Sequence, residues 1–331
     1  MHPSEVLFQG KRQPLLLPAC DHYAGSENLM RKSMALQQEL GPLFDITFDC
    51  EDGATAGAEA EHARLVASLL NDQGNFFDRI GARLHESTSP HFEHDVATIV
   101  GGAAKRLAYV VLPKAESAFE VIEAIELINK HAVPAGRASL PVHVLIETHG
   151  ALRDAYVIAA LPQVACLSFG IMDFVSAHYG AVPGSAMRTP GQFSHPLVVR
   201  AKLEIVAACH AHGKVPSHNV TTEIKDTAVV ANDAQRAAGE FGFTRMWSIH
   251  PAQIKPIIKA FTPRLSEVNE ATNILTDAAA AQWGPIAQNG RLHDRASYRY
   301  FWTVLQRAKL AGLALPDAAA ALVSNDPPET T

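Results

Sequence analysis

The sequence predicts a TIM (β/α)8 barrel with a C-terminal helical extension. Eight short apolar runs alternate with helical segments over residues 1–262 of the 331-residue chain. Such runs are typical of parallel strands that are buried on both faces. Several runs end in a charged residue, as strands do at the active face of a barrel. The runner-up is a doubly wound open sheet, but no Gly-x-Gly-x-x-Gly turn supports it.

The eight predicted strands follow one another at regular spacing. They are Leu15–Ala19, Asp45–Asp52, Ile80–Glu86, Leu107–Lys114, Pro141–Thr148, Cys166–Gly170, Lys214–His218 and Arg245–Pro251. The predicted intervening helices are about Ser26–Leu40, Ala56–Leu70, Phe92–Gly101, Ser117–His131, Ala151–Ala160, Pro196–Gly213 and Lys225–Phe241. Gly41 and Pro162 mark helix ends, because glycine favours the terminating turn and proline lacks a backbone N–H. Pro196 at a first turn and Gly213 past the end match the usual asymmetry of helix termini.

Residues 178–195 are too irregular for a core element, since glycines and prolines lie among Tyr179, Arg188 and Phe193. A loop of this length in a compact domain is usually functional. We therefore expect this segment to close over the mouth of the barrel, with Arg188 available to an anionic ligand.

Residues 263–331 are predicted to form a C-terminal helical extension. Its helices are expected at about Ser266–Gln282 and Ser297–Ala311, on either side of a segment broken by Gly284-Pro285 and Gly290. The tail from Asn325 is polar and contains proline, a composition typical of disorder.

Composition narrows the class of protein. The net charge of −6 gives no basic face for nucleic acid, and no apolar run approaches the length of a membrane span. The start of the sequence lacks a signal-peptide core, which predicts a cytoplasmic protein. Four cysteines without a Cys-x-x-Cys pair indicate small buried side chains in a reducing compartment rather than a disulfide or zinc framework.

Two acids follow neighbouring predicted strands, Glu147 after the fifth and Asp173 just past the sixth. Because the carboxyl ends of parallel strands open into one mouth, these carboxylates are expected to lie close together. Hard oxygen ligands suit Mg²⁺ (or Mn²⁺), which keeps waters and substrate oxygens beside one or two carboxylates. The alternative is that each acid caps the helix after its strand.

Other charged residues are also predicted at strand ends. Arg83 offers a planar fork that can hold a carboxylate through two hydrogen bonds. Lys114 is as compatible with an ion pair to Glu116 or Asp49 as it is with a catalytic role. His250 is equally compatible with fixing a turn and with contacting the substrate. The remaining strand-end acids are Asp49, Glu51 and Asp52, the last of which can also serve as a helix cap.

Five segments in sequence order resemble the citrate lyase β-subunit and malyl-CoA lyase family, over nearly the whole chain. They are Asp49-Cys-Glu-Asp-Gly-Ala54 with Ala63-Arg64, Leu112-Pro-Lys-Ala-Glu-Ser117, Ile146-Glu-Thr148, Phe169-Gly-Ile-Met-Asp173 and Ile249-His-Pro-Ala-Gln253. Two departures stand out. The family often has an Asp in the seventh strand, where this chain has Pro216-Ser-His218, and Lys11-Arg12 replaces an Arg-Ser pair.

The resemblance implies a TIM barrel in which Glu147 and Asp173 hold Mg²⁺ and Arg83 grips the carboxylate of a 2-oxo acid. It implies cleavage or formation of a carbon–carbon bond beside a thioester carbonyl, in a malyl-CoA-, citramalyl-CoA- or citryl-like substrate. A thioester hydrolase with the same site, and a non-catalytic subunit that binds a metabolite or a partner protein, remain alternatives.

The resemblance also implies roles for further residues. Asp49, Glu51 and Asp294 join Arg83 as catalytic candidates, and Gly170, Lys114 and His250 join Arg83 in substrate binding. Asp294 would belong to a lid that covers the barrel of an adjacent chain in a homo-oligomer, a trimer or hexamer, and would handle the enolate's proton. The alternative is that Asp294 only caps the following aromatic helix.

Overall fold

The computed structural model describes residues 2–9, 13–54 and 56–324. They form two compact units, Pro18–Phe261 and a second unit made of Met1–Leu17 with Thr262–Thr331. The division at residue 262 into a catalytic domain and a lid stays a prediction. Lys11-Arg12 and the tail from Asn325 lie outside the described residues.

The unit Pro18–Phe261 is a TIM barrel, as predicted. Its eight parallel strands close in sequence order, from β1 next to β2 around to β8 next to β1. The strands are β1 Cys20–Ala24, β2 Asp45–Asp49, β3 Ile80–Arg83, β4 Leu107–Leu112, β5 Val142–Ile146, β6 Val164–Phe169, β7 Val215–His218 and β8 Arg245–Ser248.

The predicted first strand, Leu15–Ala19, is wrong. The strand begins at Cys20 instead, and the leucines before it are only partly buried. The true strand was missed because it carries Asp21 and His22, which look like loop residues in the sequence but are buried in the fold.

The helices follow the strands. They are α1 Pro3–Phe8, α2 Glu27–Leu40, α3 Glu59–Leu70, α4 Phe92–Asp95 (continued as a π-helix over Val96–Val100), α5 Gly101–Ala103, α6 Ala118–Ala132, α7 His149–Arg153, α8 Ala155–Ala160, α9 Ile171–Ser176, α10 Pro196–Ala211, α11 Thr227–Arg236 (continued as a π-helix over Ala237–Phe241), α12 Pro251–Phe261, α13 Leu265–Ala280, α14 Arg295–Leu310 and α15 Asp317–Val323. Helices α1, α9, α12 and α15 were not predicted from the sequence. The single predicted helix Ala151–Ala160 is divided at Asp154. Residues 178–195 hold only two short 3-10 turns.

The barrel interior is part apolar and part ionic. One apolar cluster contains Tyr23, Tyr109, Val111, Leu145 and Trp247. Arg245, fully buried on β8, binds Asp45 at 2.6 Å and Asp21 at 2.9 Å. A buried charge is tolerated only when it is paired and hydrogen-bonded. This ion cluster is what lets β1 carry an aspartate inside the barrel.

The second unit has its own core. Tyr298 and Trp302 of α14 are fully buried against residues of α13 and α15 and against Leu7 of α1. A short antiparallel hairpin, β9 Ile286–Gln288 and β10 Arg291–His293, precedes α14. The sequence analysis read this segment only as broken by glycine and proline.

Two predictions from composition can be compared with the fold. All four cysteines are buried and free, as expected. In the part of the chain that the structure describes, no helix has the length and apolar character needed to cross a membrane.

Candidate active site

Strand register brings the predicted site residues to one rim of the barrel. Asp49, the last residue of β2, lies beside Arg83, the last residue of β3. Ile146 of β5 lies beside Phe169 of β6, so Glu147 and Gly170 leave the barrel next to each other. This rim is the carboxyl end of the strands, where TIM-barrel active sites lie.

Asp49 holds the Arg83 guanidinium in a bidentate pair. Arg83 Nε donates to Asp49 Oδ1 at 2.7 Å and Nη2 to Oδ2 at 2.6 Å. The backbone N–H groups of Glu51 and Gly53 donate to the same carboxylate. Burial alone would raise the pKa of Asp49, but Arg83 and these N–H groups hold it below its ordinary value. With both oxygens occupied, Asp49 is suited to orienting Arg83 rather than to carrying a proton.

Glu51 bridges two cations. Its Oε2 lies 2.9 Å from Arg83 Nη1, and its Oε1 accepts a short hydrogen bond from Lys114 Nζ. Burial raises the pKa of Glu51, against the opposing effect of both cations. Burial would lower the pKa of Lys114, but its bonds to Glu51 and Asp52 outweigh that effect and raise it. The Lys114 ammonium is therefore charged at neutral pH and unsuited to Schiff-base chemistry.

Lys114 also contacts the acid on the next strand. Its backbone φ is +51°, which is uncommon for a residue with a side chain. In this conformation its backbone N–H donates to Glu147 Oε1 at 2.8 Å. Lys114 thus binds Glu147 through the main chain and Glu51 through the side chain, and it couples the ends of β4 and β5.

Glu147 is a buried acid that lies beside a second, partly exposed acid, Asp173. Glu147 is 2% exposed, and Asp173 lies in the first turn of α9. Burial first, and then the charge of Asp173, raises the pKa of Glu147 to about 8. A Cβ added at Gly170 would lie 2.0 Å from Glu147 Oε2, so the glycine leaves room for this carboxylate. A divalent cation between the two acids would remove the repulsion, so these residues fit a metal.

The donor set favours Mg²⁺ over zinc. Within residues 2–9, 13–54 and 56–324, no three His, Cys, Asp or Glu side chains converge on one metal position. A zinc site usually takes three or four protein ligands. Mg²⁺ is commonly bound by one or two carboxylates, with waters and substrate oxygens completing its shell.

An aromatic pair beside Arg83, formed by Tyr23 and Trp247, was not predicted from the sequence. The guanidinium carbon of Arg83 lies 5.5 Å from the centre of the Tyr23 ring. Tyr23 in turn stacks on Trp247, with ring centres 4.7 Å apart. Misplacing the first strand removed Tyr23 from the candidates. An aromatic residue in period-two register with Asp21 was the signal that could have found it.

His250 and Asp294 have local roles in the structure. His250 is exposed, and its Nδ1 accepts from the backbone N–H of Ala252 at 3.2 Å, which supports the turn into α12. Asp294 is exposed and accepts from the backbone N–H groups of Ala296 and Ser297, so it is the N-cap of α14. Their substrate and catalytic roles stay predictions.

Proteins with similar sequences and structures point to one family. The chain is 27% identical over 281 residues to an L-malyl-CoA/beta-methylmalyl-CoA lyase of Rhodobacter capsulatus, covering 80% of this chain and 87% of that protein. A crystal structure of a citrate lyase from Burkholderia xenovorans LB400 is 58% identical, with a TM-score of 0.86, and the match covers 97% of this chain and 99% of that one.

A more distant structure shares the fold. It is the protein CitE from Mycobacterium tuberculosis in complex with magnesium, acetoacetate and coenzyme A, at 24% identity and a TM-score of 0.67, covering 90% of this chain and 98% of that chain. The family model of the HpcH/HpaI aldolase/citrate lyase family matches residues 31–251, about two thirds of the sequence. On this match, the chain belongs to the HpcH/HpaI aldolase/citrate lyase family.

Proposed function

We propose that this protein is a Mg²⁺-dependent carbon–carbon lyase. Its substrate is a malyl-CoA-, citramalyl-CoA- or citryl-like compound, and its products are a 2-oxo acid and an acyl fragment that leaves as an enolate. The names of the Rhodobacter and Burkholderia relatives support this reaction class. The CitE complex, whose ligands include magnesium and coenzyme A, supports the choice of cofactor and of a thioester substrate.

The observation that carries the proposal is that the buried acid Glu147 lies beside a second acid, Asp173, and near Arg83 and Lys114. A stable fold has no need to place a second acid beside a buried carboxylate, because their repulsion costs free energy. Such a pair is expected where a cation is bound during function. A non-catalytic subunit would not require this arrangement.

Each residue of the site then has a role. Glu147 and Asp173 would hold Mg²⁺, and the chemistry that this ion supplies in such a site is polarisation of the 2-oxo group. Arg83, fixed by Asp49, would bind the carboxylate of the 2-oxo acid and set its orientation. The aromatic pair of Tyr23 and Trp247 would keep Arg83 in place and limit water around it.

The first test combines metal binding with turnover. Glu147→Gln and Asp173→Asn remove one metal ligand each and leave the side-chain volume unchanged. We expect both variants to lose measurable Mg²⁺ binding by calorimetry and to lose release of glyoxylate from malyl-CoA. Glu123→Gln, the same substitution on the exposed face of α6, is the matched control and should behave as the wild type.

The products separate a lyase from the alternatives. A lyase releases a 2-oxo acid and keeps the thioester, whereas a hydrolase releases the free CoA thiol and no 2-oxo acid. Unchanged Mg²⁺ affinity in both acid variants would contradict the metal assignment. Thiol release without a 2-oxo acid would contradict the lyase.

A further inference from the structure

We propose that the Glu51 side chain occupies the subsite for the substrate carboxylate, and that this subsite spans Arg83 and Lys114. Glu51 would then be an internal competitor that a ligand carboxylate must displace. This inference rests on the proposed function and goes further, because it assigns the second cation of the subsite and the group that vacates it.

Asp49 leaves only part of the Arg83 guanidinium available to another carboxylate. Asp49 takes Nε and Nη2 in a side-on pair. A second carboxylate that binds the guanidinium through two hydrogen bonds must therefore use Nη1. Glu51 Oε2 already lies 2.9 Å from that nitrogen. The one edge of Arg83 that Asp49 leaves for a substrate is held by Glu51.

Lys114 is the second cation of the proposed subsite. The same Glu51 carboxylate that contacts Arg83 also accepts from Lys114 Nζ through its other oxygen. One carboxylate thus lies between a guanidinium and an ammonium, which is how a protein binds the carboxylate of a small acid. The Glu51 side chain is only 8% exposed, so this is an internal position and not a surface ion pair.

The Glu51 side chain can leave the proposed subsite without a change in the backbone. It lies in the turn between β2 and α3, which is closed by a hydrogen bond from the Ala54 N–H to the Glu51 carbonyl at 2.9 Å. Asp49 accepts from the N–H groups of Glu51 and Gly53 and fixes the same turn. The main chain is therefore anchored. Departure of Glu51 needs only rotation about its side-chain torsions, which also breaks the hydrogen bond that its Oε2 accepts from the Asp52 N–H at 3.1 Å.

The balance of charge in the site also favours displacement of Glu51. Two cationic side chains, Arg83 and Lys114, lie among five acids, which are Asp49, Glu51, Asp52, Glu147 and Asp173. An arriving carboxylate would add to this excess of negative charge, and like charges at close range repel. Movement of Glu51 toward solvent offsets the added charge. A ligand without a carboxylate, such as a methyl ester, cannot replace Glu51 between the two cations.

Calorimetric binding of oxaloacetate to the Mg²⁺-loaded protein tests this inference. Glu51→Gln removes the competing charge, and we expect the apparent Kd to fall by at least about fivefold, since the ligand no longer has to displace a bound carboxylate. Glu51→Ala should show the same gain. Asp52→Asn is the matched control, because it removes an equal charge. Asp52 contacts Lys114 Nζ at 3.2 Å and has no contact with Arg83 among those described. We therefore expect this variant to change the Kd by less than about twofold.

Each outcome has a distinct meaning. Equal or weaker binding by both Glu51 variants overturns the inference, and an equal gain in Asp52→Asn overturns it too, because general electrostatics then explains the result. A crystal structure with oxaloacetate should show Glu51 away from Arg83 Nη1, and retention of that contact contradicts displacement. If neither the wild type nor Glu51→Gln binds any 2-oxo acid with Mg²⁺, the proposed function itself fails.

Discussion

At the scale of single residues, the proposed carboxylate subsite depends on how Arg83 is held at the mouth of the barrel. It is 7% exposed, is clamped by Asp49 and lies over the ring of Tyr23. These two neighbours therefore fix its plane before any ligand arrives. Preorganisation of this kind lowers the cost of ordering on binding.

Arg83→Lys keeps the charge but loses the planar fork and one of the two bonds to Asp49. We expect the Kd for a 2-oxo acid to rise at least about tenfold, or about 1.4 kcal/mol. Calorimetry with glyoxylate or oxaloacetate in the presence of Mg²⁺ measures the change. Arg200→Lys, on the exposed face of α10, is the control. Equal binding by Arg83→Lys would place the carboxylate subsite elsewhere.

Glu147 predicts a pH dependence of stability in metal-free protein. Burial and Asp173 raise its folded-state pKa from 4.5 to about 8, so the folded protein holds a proton that the unfolded chain releases. The stability this gives is fully present below about pH 4.5 and is lost as the pH rises through about 8. In EDTA, Tm should therefore fall more steeply between about pH 5 and pH 8 in the wild type than in Glu147→Gln.

Metal supplies the matching control for this titration. Added Mg²⁺ competes with the proton for the same carboxylate, so it should reduce the fall in Tm of the wild type and leave Glu147→Gln unchanged. Parallel Tm curves for the two proteins in EDTA would show that Glu147 ionises near its ordinary pKa in the fold.

At the scale of elements, the loop of residues 178–195 has two unequal halves. Tyr179 is 97% exposed, whereas Gln192 and Phe193 are buried. Gln192 Nε2 donates to Asp233 Oδ2 of α11 at 2.9 Å, and its Oε1 accepts from Lys202 Nζ of α10 at 3.0 Å. A segment tied to two helices is expected to stay closed. In the first half Val182 and Ala186 are also buried, so we expect movement mainly around the exposed residues 179–181.

Limited proteolysis tests this division. We expect cleavage within residues 178–188 and resistance within residues 189–195. Mg²⁺ and a 2-oxo acid added together should slow the first cleavage, because the loop then covers the site. Gln192→Ala, which removes the contacts to Asp233 and Lys202, should expose the second half to cleavage. Unchanged cleavage of residues 178–188 with both ligands would make the loop a surface insertion.

At the scale of the whole molecule, the open question is whether one chain completes the site of another. Asp294 caps α14 in this chain, which accounts for its local hydrogen bonds. It is nevertheless exposed, as a group that acts in a neighbouring subunit would have to be. A carboxylate that moves from water into a closed site gains a higher pKa and becomes a better base.

Mixing of inactive variants separates the two roles of Asp294. If the lid acts in trans in a homo-oligomer, Asp294→Ala chains combined with Glu147→Gln chains should regain part of the activity, because some sites then pair an intact barrel with an intact lid. No recovery is expected if Asp294 serves its own barrel. Full turnover by Asp294→Ala alone would leave only the capping role, whose loss costs about 1 kcal/mol of stability.

The sequence by itself determined the barrel and the residues on its active rim. Seven of the eight predicted strands overlap the observed ones, and Asp49, Arg83, Lys114, Glu147 and Asp173 lie at or just beyond strand ends as predicted. The physical reason is local: a strand buried on both faces is apolar along its length, and its end is where polar residues can return to solvent. Such patterns span only a few residues, so they can be recognised without the fold.

The tertiary structure alone decided which charges are paired. Arg245 of β8 binds Asp21 of the adjacent β1 and Asp45 of β2, and this pairing allows a polar segment to form β1. Glu51, just after β2, pairs with Arg83 of β3 and with Lys114 just after β4, so both cations of the proposed carboxylate subsite are already engaged. These pairs join residues that are far apart in the chain, and burial sets their strength. Neither their separation nor their burial is encoded in any short stretch of sequence.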